Sequence, residues 1–190
     1  MPSVSYRRWR VSRRAALDDI ETAHAGIGGT GRARRLATQQ VNRAYVVILA
    51  AEFQGFCRDL HTECIDCIVA SVPPTLQPVI DREFRLNRGL DRGNPNPGTL
   101  GSDFGRFGFD FWPEVLALDT HATDYQTHLE TLNIWRNAIA HNDFAPSRFA
   151  STILSVSQVR EWRRSCNHLA QLFDTVSQQG LIRLTGNMPW

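Results

Sequence analysis

Within residues 33–70, Val46, Leu49, Phe53, Phe56, Leu60 and Cys67 recur at steps that alternate, almost throughout, between three and four. At about 100° per residue this spacing places them on one stripe, so the segment reads as a long amphipathic helix at the centre of the core. A second stripe closes the chain. Val159, Trp162, Cys166, Leu169, Phe173 and Val176 follow heptad-like spacing over about 157–179, behind Ser157 as the expected N-cap. Residues 7–25 read as a polar, arginine-rich helix, and helical periodicity resumes after Pro113 and runs to about His141. The expected fold is therefore all-α, a helical bundle with long antiparallel helices forming one domain over residues 1–190.

Glycine and proline mark the breaks. "GIGGTG" (Gly26–Gly31) closes an N-terminal unit of residues 1–32. It is like a phosphate cradle only on the surface, because no apolar strand leads into it, and it reads as a connector. Residues 71–118 read as an insertion: "VPPTLQP" ends the long helix, "IDREFRL" suits a short one, and "NRGLDRGNPNPGTLGSDFG" reads as irregular loop. Phe104, Phe107, Phe109, Phe111 and Trp112 crowd its tail. Such a cluster either offers stacking surfaces to unpaired bases or pins a loop onto the core. "NDFAPS" reads as the turn before the last helix.

All 21 basic residues are arginine. Without lysine, Schiff-base chemistry, a lysine general base and a phosphate loop ending in Gly-Lys-Ser/Thr are excluded. Residues 1–43 carry nine arginines against Asp18, Asp19 and Glu21, so the positive charge is concentrated at the front of the chain. Guanidinium forks suit phosphates, which makes Arg7, Arg8, Arg10, Arg13, Arg14, Arg32, Arg34 and Arg35 candidate contacts for the RNA backbone. The alternative is a solvated helix face. Cys57, His61, Cys64 and Cys67 have spacing that a zinc site can use, but no second C-x2-C accompanies them and Cys57 and Cys64 fall in the apolar stripe, so no metal or other cofactor is expected. There is no nucleophile elbow. Four cysteines, no apolar run of membrane-spanning length and no signal-like segment lead to the expectation of a cytoplasmic protein with no membrane partner.

The stretch "IWRNAIAHND" (Ile134–Asp143) sets polar residues into an apolar helical run. On a helix, Tyr125, Leu132, Trp135 and Ile139 fall in one wedge that faces the core, while Glu130, Asn133, Asn137 and His141 lie nearly opposite. Arg136 stands about 140° and about 7.5 Å from His141, too far for one regular helix to aim both at one atom unaided. A curling arginine stem, a helix end at Ala140 or a second copy of the helix would supply the help. Alternatively, arginine and histidine in a final turn are C-terminal capping chemistry.

"RNAIAH" (Arg136–His141) resembles the signature motif of the HEPN superfamily, an arginine followed by a histidine a few residues on. "ILAAEFQGFCRDL", with Glu52 beside Phe53, is similar to that superfamily's second long helix, and "LTGNMPW" is similar to the tail of RiboL-PSP-like clades. The likeness covers about residues 35–70 and 120–190. It implies a helical bundle that dimerises so that two motifs line one cleft, and a metal-independent endoribonuclease serving defence, stress or a toxin–antitoxin pair with a neutralising antitoxin protein. In that reading His141 moves the proton, Arg136 stabilises the phosphorane-like charge, Asn137 orients imidazole or substrate, and Glu52 supports. A non-catalytic dimer that binds RNA or a protein partner is the other possibility.

Overall fold

The computed structural model describes residues 1–28, 31–145, 147–149 and 151–190. Every regular element among them is helical. The chain opens with α1 (Val4–Arg8), a π-helical turn (Trp9–Arg13) and α2 (Arg14–Ala25). α3 (Gly31–Ser71) follows, and at 41 residues it is about 60 Å long. Next come α4 (Gln77–Arg85), a 3-10 turn (Gly89–Asp91), α5 (Pro97–Gly105), α6 (Phe111–Leu118), α7 (Ala122–His141) and α8 (Val156–Thr185). Gly29 and Thr30 of the glycine connector, and Pro146 of the turn after α7, lie outside the described residues.

The stripe of α3 is the core. Val46, Leu49, Phe53, Phe56 and Leu60 are fully buried, as are Cys57, Cys64 and His61. Burial pushes the thiols of Cys57 and Cys64 well above their ordinary pKa, so they act as small apolar groups. α8 covers this stripe with Val159, Cys166, Leu169, Phe173 and Val176.

Contacts fix the directions of the helices in the bundle. Asn42 and Gln39 bond Leu154 near the start of α8, whereas Cys67 approaches Pro189 beyond its end, so α3 and α8 run parallel. α7 is antiparallel to both, since Tyr125 stacks on His168 and Trp135 meets Trp162. The expected antiparallel packing therefore holds for α7 but not between the two longest helices, because α7 returns the chain before α8 begins.

The N-terminal unit also runs antiparallel to α3. Glu63 accepts from the backbone N–H groups of Val4 and Ser5, and Arg13 reaches Glu52 at 2.7 Å and Asp59 at 2.8 Å. A Cβ on Gly55 would lie 2.4 Å from the Arg13 guanidinium, so this glycine makes room for the arginine to lie across α3. Further along, Arg163 of α8 is buried between Asp18 and Glu21 of α2 at 2.6 and 2.9 Å, and the Tyr45 hydroxyl donates to the same Glu21. Together these contacts seat α2 beside α8 on α3.

Residues 71–118 are more regular than their composition suggests. The Asn-Pro pair that reads as loop starts a helix: Asn96 caps α5 by accepting from Thr99 N–H at 2.8 Å, and Pro97 takes the first helical position. Buried Asp103 accepts from the N–H groups of Gly89 and Leu90, tying the 3-10 turn to α5. Phe104, Phe107, Phe109 and Phe111 are buried, and Phe104 stacks on Phe111 with centroids 4.5 Å apart. Of the two readings of the aromatic cluster, the core anchor is the one realised. Half-buried Trp112 packs on Phe173 and donates to Pro97 O.

Both boundaries of α8 differ from expectation. The N-cap of α8 is Ser155 rather than Ser157, because Ser155 has Gln158 three residues on to complete a capping box. α8 also continues to Thr185, where Gly186 (φ 72°) ends it, rather than stopping near 179. The run after Pro113 divides into α6 and α7 at Asp119–His121, where the Asp119 carboxylate accepts from His121 N–H at 2.9 Å. Among the described residues no helix is long and apolar enough to cross a membrane.

Candidate functional site

α7 presents the R-x4-H motif at its C-terminal end. Leu129, Leu132, Trp135 and Ala138 are buried, with Tyr125 and Ile139 packed at the margin. Trp135 meets the Phe149 ring at 4.9 Å and the Phe144 ring at 6.0 Å, so the turn after α7 folds back over the helix end. One residue departs from the face assigned to it: Asn133 is buried, not solvated, because the Asn94–Pro95 segment lies over it and Pro95 O accepts from its side chain. The insertion thus covers part of the side of α7 opposite the core.

Asn137, one turn further on, is exposed, and its carbonyl oxygen receives two donors, Asn94 at 2.7 Å and the Arg136 guanidinium at 3.1 Å. Arg136 is half-buried and held towards Asn137. His141 is exposed and is the last residue of the helix. α7 remains regular to that point, so the angular separation between Arg136 and His141 persists, and within one chain no hydrogen bond joins them among the described residues.

His141 does not cap the helix. Asn142 adopts the left-handed conformation (φ 51°), and the N–H groups of Asn142 and Asp143 bond the carbonyls of Ile139 and Ala138. With the backbone satisfying those carbonyls, the imidazole is left facing a cleft of about 350 Å³, whose wall holds Asn137, His141, Asp143, Arg148 and Phe149. Arg136 is not part of that wall. Arg148 is, and sequence spacing gave no means of finding it, because it enters from an irregular turn that only the packing of Phe149 on Trp135 brings back to α7.

The other candidates lie elsewhere. Glu52 faces the N-terminal unit, paired with Arg13, and no contact joins it to Arg136 or His141 among the described residues. Arg8 pairs with Asp59 at 2.9 Å, Arg14 approaches Asp18 at 3.5 Å, and Arg10 lies over the Tyr6 ring at 6.0 Å. Arg7 is exposed on α1, and Arg32, Arg34 and Arg35 are exposed on the first turns of α3. The His/Cys face of α3 is interior: the buried His61 ring packs between Phe104 and Phe107, with Nε2 3.1 Å from Asp103 O. Among the described residues no three His, Cys, Asp or Glu side chains are grouped to hold a metal ion.

An exposed imidazole beside a guanidinium in an open polar cleft can transfer protons and hold an anionic oxygen. In comparisons with known proteins, no family profile, curated protein or solved structure matches this chain.

Proposed function

We propose that this chain is a HEPN-type endoribonuclease that cleaves RNA without a metal ion, at a site formed when two copies bring their α7 ends together. The observation that carries the reading is His141: its helix end is capped by backbone N–H groups, and its ring opens onto a polar cleft shared with Asn137 and Arg148. In the reaction the 2′-oxygen attacks the adjacent phosphorus and the bond to the 5′-oxygen breaks. His141 takes the 2′ proton or supplies one to the leaving 5′-oxygen, giving a 2′,3′-cyclic phosphate and a 5′-hydroxyl. Guanidinium groups stabilise charge on the non-bridging oxygens: Arg148 from the same cleft, and Arg136, steadied by Asn137, from the second copy. A role in defence, stress or as a toxin held by an antitoxin fits such an activity.

One observation favours a second reading, a non-catalytic dimer that binds RNA or a protein partner: Arg136 is turned to Asn137 and is absent from the wall of the His141 cleft. Labelled RNA incubated in EDTA with wild type and His141→Ala separates the two. The nuclease reading expects cleavage that survives chelation and is lost in the variant; intact RNA with wild type, at concentrations where sedimentation shows a dimer, refutes it.

A further inference from the structure

Away from the His141 cleft, a groove runs between the N-terminal unit and α8. It is formed by two concavities of about 260 and 330 Å³ that share Arg14 and Asn167. Its floor is Trp9, buried and donating from Nε1 to Asn167 Oδ1 at 3.0 Å. Five arginines line it against two carboxylates, Asp18 and Glu21. Those carboxylates are already used, because Arg163 and Arg160 pair with them at 2.6 to 2.9 Å. Arg10 and Arg164 have no carboxylate partner among the described residues, and Arg14 has only a loose one at 3.5 Å. The groove thus holds guanidinium charge beyond what the fold neutralises.

Aromatic groups accompany that charge. Half-buried Tyr6 and exposed His168 line the same concavity, and His168 lies parallel to half-buried Tyr125 at 4.9 Å, a flat surface at the groove's edge. From Gln171 to Arg160 the α8 wall extends about 16 Å. It leads towards the end of the bundle where His141 stands, because α7 and α8 are antiparallel.

We propose that this groove binds the phosphate backbone of single-stranded RNA, with Arg10, Arg14 and Arg164 on phosphates and the exposed His168 ring at its edge receiving a base. Forked guanidinium groups match phosphate oxygens, and flat rings beside a basic track suit unpaired bases better than an acidic polypeptide. The inference rests on the proposed function only in taking RNA as the ligand.

The test uses the full chain carrying His141→Ala, so that a fluorescein-labelled single-stranded oligoribonucleotide stays intact, with binding read by anisotropy over a salt series. Removing one phosphate contact lowers the slope of log K against log salt by about 0.7, which is about fivefold weaker binding at 0.1 M salt. Arg164→Ala and Arg10→Ala are each expected to give that loss, and Gln171→Arg, which adds a charge to the wall, the converse gain. Arg82→Ala, an exposed arginine of α4 outside the groove, should change nothing. Groove variants that bind like their parent, an equal loss from Arg82→Ala, or displacement by poly-glutamate as effective as by unlabelled RNA would each overturn the proposal. Binding that follows the groove while wild type leaves RNA uncut keeps the groove and removes the nuclease; cleavage lost with His141 but indifferent to the groove variants does the reverse.

Discussion

Lowering the pH from 7.5 to 5.0 should cost this protein about 2 kcal/mol through His61 alone. The ring is fully buried, wedged 4.6 Å from Phe107 and 5.2 Å from Phe104, and burial brings its pKa down from 6.5 to about 4 despite the bond to Asp103 O. The folded state therefore holds His61 neutral where the unfolded chain binds a proton. Stability from this group is complete above the unfolded pKa and is lost as pH falls from 6.5 towards 4, with a limit of about 3 kcal/mol at 1.36 kcal/mol per unit. At pH 5.0 the unfolded imidazole is almost wholly protonated and the folded one about a tenth so, which yields the figure of about 2 kcal/mol. Urea unfolding of wild type and His61→Leu at both pH values isolates it, because the carboxylates common to both proteins cancel. The variant starts less stable, having lost the hydrogen bond, but its stability should fall less across the interval by about that amount. Parallel pH dependence in the two proteins would show that His61 is accessible to protons in the fold and would refute the reasoning.

Two more outcomes probe the packing. Gly180→Ala should destabilise by about 1 to 3 kcal/mol in thermal or chemical unfolding, although glycine to alanine within a helix ordinarily stabilises, because the new Cβ would lie 2.6 Å from the Phe109 ring; a gain in stability would mean that the aromatic segment is not docked on α8. Ser155→Ala should cost about 1 kcal/mol while Ser157→Ala costs a few tenths at most, and the reverse order would move the start of α8.

Helix periodicity carried much of the architecture. The spacings of Phe53, Phe56 and Leu60 on α3, and of Leu169, Phe173 and Val176 on α8, are satisfied only by burying one face of each helix, so the core could be named from composition and period. Residues 71–118 were opaque because local signals there have two meanings. Asn-Pro is a turn in isolation and a capped helix start once Thr99 N–H is placed on Asn96, and glycine reads as a breaker until Trp112 needs the space over Gly101.

For the site, the sequence determined which groups exist and their angular relation on α7: a guanidinium and an imidazole five residues apart that a regular helix cannot converge. Tertiary structure decided what surrounds them. It laid the Asn94–Pro95 segment over Asn133, brought Asn94 to Asn137, and brought Arg148 to the His141 cleft. It also set Arg10 and Arg14 across from Arg164, about 150 residues apart in the chain, to form one groove. Helical period is a property of neighbours in sequence, whereas a cleft depends on which distant side chains remain unpaired after the carboxylates have chosen partners, and that choice is made only when the helices pack.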